Sequence, residues 1–482
     1  MLQGKDINKI SELKNDFTPR WVEPDFIFSS LKSFSFPNLC HCLSSVKLKG
    51  YSFEVVFTIL ASMPFINSAS VNSMLNGYVK HHIQASKDTF YRLKNSPAVC
   101  WRLVLWLFAA KFKKLTQNDT NNQGLIRCMV FDDTVIEKTG RFIEKVSRVW
   151  DHVSQSYRLG FKLLLMGYWD GTSFIPLDFS LHRERGKNKE KQFGFKKKEL
   201  KRQHSKKRDK DSFSYERAME ADLSKIDCAI KMFKRAVSQG FMVDYVLMDS
   251  WFTCDAFINA VLSVKTQTVH LIGMYKIAKT KFEYLGKMFT YGELRNSLGK
   301  PKRCRKLGFY YTEAVVGFRG HQIKLFFSKH GKNGKWKVLL CTNTRLSFIA
   351  MIEIYQTRWT IEVFFKEAKQ LLGLGECQSN DFNAQIADTT ITLVQHILLT
   401  LKYRIENYES KIGMFAEIKE ETTRQRLNQR LWDLFVQIMQ IVQIIFDEFD
   451  EEELMEKIFQ NDLAYEHLTR LLGEPINRKS VA

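Results

Sequence analysis

The sequence contains no apolar run that could cross a membrane. Its longest such run, residues 103–110, falls well short of the roughly 20 apolar residues that a transmembrane helix needs. The opening residues, MLQGKDINKISELKND, contain no apolar segment of the kind found in secretion signals. We therefore expect neither a membrane anchor nor export.

Cysteine usage argues against a disulfide framework and a zinc ribbon. The nine cysteines are scattered, odd in number and never spaced as Cys-x2-Cys. Cys40-His41-Cys42 is a metal-like cluster, but it has no second pair at ligand spacing, and ordinary packing explains it better. This usage fits a reducing cytoplasm.

Acidic residues are scarce relative to basic ones. The 73 Lys and Arg against 52 Asp and Glu give a net charge of +21 and a pI of about 9.4. Such an excess indicates a polyanionic partner, which is nucleic acid more often than a membrane surface. A chain of 482 residues is too long for one core and indicates about two to four domains.

The chain begins with a helical region, residues 1–115, whose apolar residues recur at helical spacing. Within it, residues 86–94 start with a serine suited to cap a helix and place Lys87 and Tyr91 near one face. This segment resembles the recognition helix of a helix-turn-helix. The alternative is an amphipathic surface helix.

Beyond a polar linker at residues 116–124, apolar strands end in acidic residues. The first strand, 125–134, carries Asp132 and Asp133 near its end, and a later strand, 241–249, ends in Asp249. Three strands after the first one predict a consecutive antiparallel meander, at 146–153, 161–169 and 174–181.

Two further segments are basic. Residues 183–211 carry fourteen Lys or Arg against five acidic residues, and they form either a solvated loop or a set of phosphate contacts beside an active site. Residues 275–344 combine a basic composition with strand patterns. The chain then becomes helical again and ends in an acidic region.

Residues 352–369 predict one helix with a polar stripe. Four side chains share a stripe about 60° wide: Tyr355, Arg358, Glu362 and Lys369. The other positions are mainly apolar, so most of the helix is expected to be buried. The stripe is roughly 21 Å long, which suits on the order of six phosphates of a DNA strand better than one small ligand. The simpler alternative is a buried helix with an Arg358–Glu362 ion pair at i,i+4.

The spacing Tyr-x2-Arg-x3-Glu-x6-Lys around Glu362 resembles the signature of DDE transposases of the insertion sequence four family. The resemblance extends over about residues 125–399 and less securely over the N-terminal part. It implies a ribonuclease-H-like core in which Asp133, Asp249 and Glu362 are catalytic and hold two Mg²⁺ ions, with Mn²⁺ as a substitute. Carboxylates are the hard oxygen ligands that these ions prefer.

Strand alternation does not decide between Asp132 and Asp133, because a central strand is covered on both faces. Family members carry an Asp immediately before a Thr, which favours Asp133 and makes Thr134 a contact beside the metal. By the same resemblance, three residues of the stripe bind phosphates at the transposon end: Tyr355, Arg358 and Lys369.

The resemblance also organises the chain as a multidomain α/β protein. Its core is a mixed five-stranded sheet with helices, interrupted by a β-rich insertion and flanked by helical N- and C-terminal regions. The predicted parts are a DNA-binding domain at 1–115, the first part of the core at 125–274, the insertion at 275–344, the rest of the core at 345–400, and a helical region at 401–482.

The implied function is metal-dependent cleavage at transposon ends and strand transfer into target DNA, by cut and paste through a hairpin. The implied partner is double-stranded DNA, as terminal inverted repeats and as target, bound by a homodimer in the nucleoid of a bacterial cytoplasm. One alternative is a domesticated DNA-binding protein without catalysis, which the presence of all three acids disfavours. Another is a stand-alone nuclease of the same fold.

Trp336 is the tryptophan of the insertion and is predicted to begin a strand shortly before the catalytic helix. In the resembled family, an aromatic residue of the insertion receives a base that flips out as the hairpin forms. Its position departs from that family by about two residues. The alternative is a core residue of the strand.

Overall fold

The structure is a computed structural model. It describes residues 25–39, 41–43, 50–66, 68, 70–76, 85–117, 124–276, 280–406 and 408–424, together with residues 438, 457, 460–464 and 466–467. Most of the polar linker and most of the acidic C-terminal region therefore lie outside the described residues. Cys40 of the cysteine and histidine cluster also lies outside them.

The chain divides into two compact units. The larger one comprises residues 34–56 and 91–407, and it contains all described strands and the candidate catalytic residues. The smaller one comprises residues 1–33, 57–90 and 408–482. The domain limits predicted from the sequence stay predictions.

The described N-terminal part is helical, as predicted. Its helices are α1 (Asp25–Ser33), α2 (Phe36–Leu39), α3 (Phe53–Ser62), α4 (Val71–Asn76), α5 (Lys87–Asn95) and α6 (Trp101–Thr116), with a 3₁₀ turn at His41–Leu43. In α6, the buried residues Trp101, Leu105, Phe108 and Phe112 recur every three or four positions. This spacing gives the helix one continuous apolar face, which packs on the sheet and on the last helix of the core.

The described strands all belong to one mixed sheet. They are β1 (Cys128–Glu137), β2 (Ser147–Asp151), β3 (Ser156–Trp169), β4 (Phe174–His182), β5 (Tyr245–Met248), β6 (His270–Tyr275), β7 (Lys281–Tyr284), β8 (Lys287–Thr290), β9 (Lys302–Cys304), β10 (Phe309–Phe318), β11 (His321–His330) and β12 (Lys337–Cys341). The order is β2-β3-β1-β5-β6-β12-β11-β10-β7-β8, with β4 paired to β3 and β9 to β10. The strands predicted from apolar patterns are confirmed, with ends shifted by a few residues.

The helices that follow the first four strands in the chain cover this sheet or connect its strands. They are α7 (Lys197–Leu200), α8 (Phe213–Glu220), α9 (Lys225–Ser238), α10 (Asp255–Leu262), α11 (Tyr291–Ser297), α12 (Phe348–Gln356), α13 (Trp359–Leu371) and α14 (Phe382–Ile405). A 3₁₀ turn lies at Gln192–Gly194, and residues 411–424 are helical. No helix in the described part combines the length and the apolar character that crossing a membrane requires.

The three strands of the predicted meander pair antiparallel in consecutive order, but β2 and β4 lie at the same edge of β3. Strand β1 pairs antiparallel with β3 along its whole length, and it does not pair with β2. The cause is the length of β3, whose first residues pair with β2 and whose remaining residues pair with β4 at the same edge. The other edge of β3 is thereby free for β1, which in turn lies parallel to β5.

The β-rich segment 275–344 extends the core sheet. Strand β12 pairs antiparallel with β6, from Val338 opposite Tyr275 to Cys341 opposite Ile272. Strands β11 and β10 continue outward from it. The segment therefore enters and leaves the core through two neighbouring strands, and the chain passes directly from β12 into the helices that carry the polar stripe.

The predicted single helix over 352–369 is instead two helices. Strand β12 leads to α12, which ends at Gln356, and α13 begins at Trp359. Between them the backbone stays in the right-handed helical region, but Arg358 N–H donates to the Tyr355 carbonyl three residues back, in a tighter turn. Trp359 and Val363, which the apolar composition predicted to be buried, are exposed.

Candidate active site

Two acidic residues lie side by side in the central strand. Asp132 and Asp133 are consecutive in β1, so their side chains point to opposite faces of the sheet. The Asp133 N–H donates to Asp132 Oδ1 at 2.8 Å. Each acid therefore meets a different set of neighbours.

Asp249 follows the last residue of β5, next to Asp132. Strands β1 and β5 are parallel and pair up to Phe131 opposite Met248, so Asp132 and Asp249 are the next residues at the same edge. Asp249 Oδ1 accepts hydrogen bonds from the N–H groups of Trp251 at 2.9 Å and of Phe252 at 3.3 Å. These bonds fix the carboxylate at the start of its turn.

Glu362 lies in the first turn of α13, where the helix dipole favours a negative charge. Arg358, immediately before the helix, links it to the strand. Its Nη2 donates to Glu362 Oε1 at 2.5 Å, and its Nη1 donates to Asp132 Oδ2 at 3.1 Å. The Arg358–Glu362 ion pair, which was the simpler alternative in the sequence analysis, is thus present. Arg358 also contacts Asp132.

Burial and repulsion from neighbouring carboxylates raise the pKa values of Asp132 and Asp249. Burial, and then the charge of Asp249, raises the pKa of Asp132 to about 7. Burial also raises the pKa of Asp249, with a smaller contribution from Asp133. Carboxylates whose charged form is disfavoured lie where an additional cation is favourable.

Asp133 has cationic partners of its own. It forms an ion pair with Lys225 of α9, and Lys162 Nζ of β3 lies 3.6 Å from its Oδ1. Asp132 thus lies next to Asp249 and shares Arg358 with Glu362, whereas Asp133 is neutralised by two lysines. The preference for Asp133 as the metal ligand stays a prediction from the resemblance.

The other residues of the stripe contact the ends of strands. The Tyr355 hydroxyl donates to the Met248 carbonyl at 3.2 Å, and burial raises the pKa of Tyr355 to about 12. Lys369 Nζ donates to Thr134 Oγ1 at 2.7 Å and to the Val135 carbonyl at 3.0 Å. Both ends of the stripe therefore lie along the edge that carries the acids.

The remaining predicted DNA contacts are Trp336, Lys87 and Tyr91. Trp336 is half-buried and directly precedes β12, which begins one residue later than predicted. The Arg295 guanidinium lies 4.9 Å and Lys329 Nζ 5.3 Å from the centroid of its ring. Lys87 and Tyr91 are exposed on α5, but most of the residues between α4 and α5 lie outside the described part.

The basic segment 183–211 is partly structural. Arg208, with 5% of its side chain exposed, donates to both oxygens of Glu144 at 2.5 and 2.6 Å. Lys206 pairs with Asp381 at 3.0 Å. Other basic side chains of the segment are exposed, among them Lys196, Lys197, Lys198 and Lys201. The segment is thus neither a fully solvated loop nor a surface composed only of free cations.

Sequence reasoning missed the lysines and the tryptophan around the acids. The sequence does mark Lys162, because it is the one charged residue in the apolar run 159–169. It does not mark Lys225, because Lys225 begins an ordinary amphipathic helix. The residues Ser250-Trp251-Phe252 after Asp249 resemble the second motif of the insertion sequence four family, but this resemblance gave Trp251 no role of its own.

The acids are chemically suitable ligands for a divalent metal ion. Among the described residues, no three His, Cys, Asp or Glu side chains lie close enough together to hold a metal ion. Arg358 lies between Asp132 and Glu362 and provides the neutralising charge there. The donor set is made of carboxylates, the hard oxygen ligands that Mg²⁺ prefers.

Comparison with known proteins identifies the family. Residues 126–395, more than half of the chain, match the family described as transposase DDE domain. The matched region contains the acids of β1, Asp249 and Glu362. No curated protein matches the chain. The chain therefore belongs to the family of transposases with a DDE domain.

Proposed function

We propose that this transposase cleaves DNA at transposon ends and joins the ends to target DNA by cut and paste, as in the insertion sequence four family. One observation carries the proposal: Asp132 lies next to Asp249 at the edge of two parallel strands and shares Arg358 with Glu362, so that three distant parts of the chain bring acids to this edge. The mixed sheet at the centre of the larger unit supports a ribonuclease-H-like core. Asp133 remains the alternative to Asp132.

Asp132, Asp249 and Glu362 would hold two Mg²⁺ ions, or Mn²⁺ in their place. The family spacing favours Asp133, but the lysines that pair with Asp133 leave Asp132 better placed for a metal. Bound ions would supply activation of the attacking water or DNA 3′-hydroxyl and neutralise charge on the leaving oxygen. The raised pKa of Asp132 makes proton release part of metal binding.

The stripe would bind the phosphates of the transposon end. Arg358 is suited to a bidentate phosphate contact. A DNA phosphate would then replace the two carboxylates as the partner of Arg358. Tyr355 and Lys369 lie at the two ends of the stripe. Both side chains donate hydrogen bonds to the edge of the sheet. Each therefore has a donor group that faces the region where the DNA strand would lie.

Strand cleavage through a hairpin requires a place for a flipped base, and we assign this role to Trp336. The two cations beside its ring would meet the phosphates that flank such a base. Exposed Lys87 and Tyr91 would contact DNA from the N-terminal helices, and Thr134 would contact it beside the acids. A homodimer would hold the two transposon ends in the nucleoid.

The test is a cleavage and strand-transfer assay on duplexes that carry the inverted repeats bounding the gene. We expect Mg²⁺-dependent nicking, hairpin formation and joining to a target plasmid. Cleavage without joining would indicate the stand-alone nuclease. Binding of the repeats without cleavage, in Mg²⁺ and in Mn²⁺, would indicate a domesticated DNA-binding protein.

A further inference from the structure

The turn after Asp249 presents an exposed aromatic ring beside the candidate active site. Trp251 lies two residues beyond Asp249 and is 56% exposed, whereas the next residues, Phe252 and Thr253, are buried. A single exposed apolar side chain is common on protein surfaces and needs no function by itself. The position of Trp251 needs explanation because its backbone is tied directly to a candidate catalytic acid.

Hydrogen bonds hold the turn to Asp249. The Trp251 N–H donates to Asp249 Oδ1 at 2.9 Å, and the Thr253 hydroxyl donates to the Asp249 carbonyl at 2.7 Å. Buried Phe252 anchors the same turn in the core. The backbone that carries the indole is therefore held in a fixed position relative to the acid.

A cation completes the arrangement. Lys225 Nζ lies 5.1 Å from the centroid of the Trp251 ring, within the range of a cation–π contact, and also forms an ion pair with Asp133. An open aromatic ring next to an ammonium group is the combination that proteins use to bind a nucleic acid strand. The ring stacks on a base, and the ammonium attracts the phosphate.

We propose that Trp251 stacks on the base of a nucleotide next to the scissile phosphate, in the strand that is cut. Lys225 holds the indole and lies near that nucleotide's phosphate. This inference rests on the proposed function, since it needs a DNA strand at Asp249. It makes Trp251 a positioning residue, which aligns the strand without taking part in bond cleavage.

The experiment is a double-mutant cycle between the protein and the DNA. Cleavage rates are measured for the wild type and Trp251→Ala on end duplexes that are intact or carry one abasic site on either side of the cut. At one of the two positions, we expect each single change to slow cleavage roughly five- to a hundredfold. The double change should be no slower than either single change, because both remove the same stacked pair. Additive effects at both positions would overturn the inference.

Two further variants make the result specific. Phe142 is 47% exposed and has the Arg202 guanidinium 5.2 Å from its ring centroid, so Phe142→Ala removes a similar pair at another place. Its cycle with the same abasic sites should be additive, and coupling as strong as that of Trp251→Ala would contradict the inference. Trp251→Phe keeps a ring and should retain most of the coupling.

Folding and the proposed function are checked in parallel. If Trp251→Ala does not fold, Trp251→Leu replaces it, because leucine keeps apolar bulk without an aromatic face. If Asp249→Asn still cleaves DNA, the proposed function fails. If Asp249→Asn is inactive and the Trp251 cycle is additive, only the stacking inference fails.

Discussion

The Arg358 guanidinium donates a hydrogen bond to Glu362 Oε1 at 2.5 Å and thereby occupies the space in front of a candidate catalytic acid. The same group donates to Asp132 at 3.1 Å. A phosphate of the transposon end would compete for this arginine, and a metal ion would compete for the two acids. Binding of DNA and binding of metal should therefore favour each other.

Replacing Arg358 by Gln should strengthen metal binding in the absence of DNA. The variant loses a unit charge within hydrogen-bonding distance of two acids, which is worth about 1 to 4 kcal/mol at the polarity of a partly exposed site. We expect Mn²⁺ to bind at least fivefold more tightly to Arg358→Gln than to the wild type, measured by calorimetry. Binding of end DNA by the same variant should weaken.

Lys366→Gln provides the matched control for that measurement. Lys366 is an exposed cation on the same helix, α13, and its removal changes the net charge equally. Its Mn²⁺ affinity should stay within about twofold of the wild type, because exposed charges are well screened. Equal effects of the two variants would mean that net charge, and not the Arg358 contacts, governs metal binding.

The raised pKa of Asp132 predicts a dependence of stability on pH. Its folded pKa is about 7, above the ordinary value of 3.8, so the folded state binds the proton more tightly than the unfolded state. The contribution of Asp132 to stability should therefore fall as the pH rises from about 4 to 7, by at most about 1.4 kcal/mol per pH unit. Urea unfolding of metal-free wild type and Asp132→Asn should show this, and a pH-independent difference would contradict it.

The basic segment predicts a change in salt dependence. Replacing exposed Lys196, Lys197, Lys198 and Lys201 by Gln should flatten the slope of log affinity against log salt by about 0.9 for each phosphate that a lysine no longer neutralises. Fluorescence anisotropy with end DNA measures the slope. An unchanged slope would mean that these lysines are solvated and do not contact DNA phosphates.

Arg208 of the same segment should behave differently. It is buried against Glu144, so Arg208→Gln leaves that acid without its cationic partner and should lower the free energy of unfolding by about 3 to 5 kcal/mol. Its effect should appear in urea unfolding. A stable Arg208→Gln variant with a flattened salt slope would instead place this arginine on DNA.

Trp336→Ala should permit the first nick and slow hairpin formation. Stacking of a base on an indole contributes roughly 1 to 3 kcal/mol, which sets the size of the loss. Gel analysis of end duplexes separates the two steps, and 2-aminopurine near the end should lose its flipping signal. Trp336→Phe controls for folding, and hairpins at the normal rate in Trp336→Ala would exclude the role.

Much of the core was predictable because buried strands leave a continuous apolar pattern. The strand that carries Asp133, the strand before Asp249 and the helix with Glu362 followed from that pattern and from four spaced residues, although β1 continues beyond Asp133 to Glu137. The pairing of β1 with β3 was not predictable, because the apolar pattern of β3 shows that it is buried but not which strands pair with it.

The same limit applies to the site. Sequence spacing places Asp132 and Asp133 in one strand, but the partners of each depend on which face meets which helix. The ion pair of Asp133 with Lys225 joins β1 to α9, residues that are 92 positions apart. The break between α12 and α13 could not be predicted from the sequence, because Thr357 and Arg358 keep helical backbone angles.

The most direct measurement compares Mg²⁺-dependent cleavage of end DNA by Asp132→Asn, Asp133→Asn, Asp249→Asn and Glu362→Gln, with DNA binding and urea unfolding measured for each. We expect Asp132→Asn, Asp249→Asn and Glu362→Gln to bind the ends and to lose cleavage by at least a hundredfold. Asp133→Asn should be less stable, since two lysines lose their partner, but should still cleave. Full cleavage by Asp132→Asn, Asp249→Asn or Glu362→Gln would contradict this assignment, and an inactive, folded Asp133→Asn beside an active Asp132→Asn would move the first ligand to Asp133.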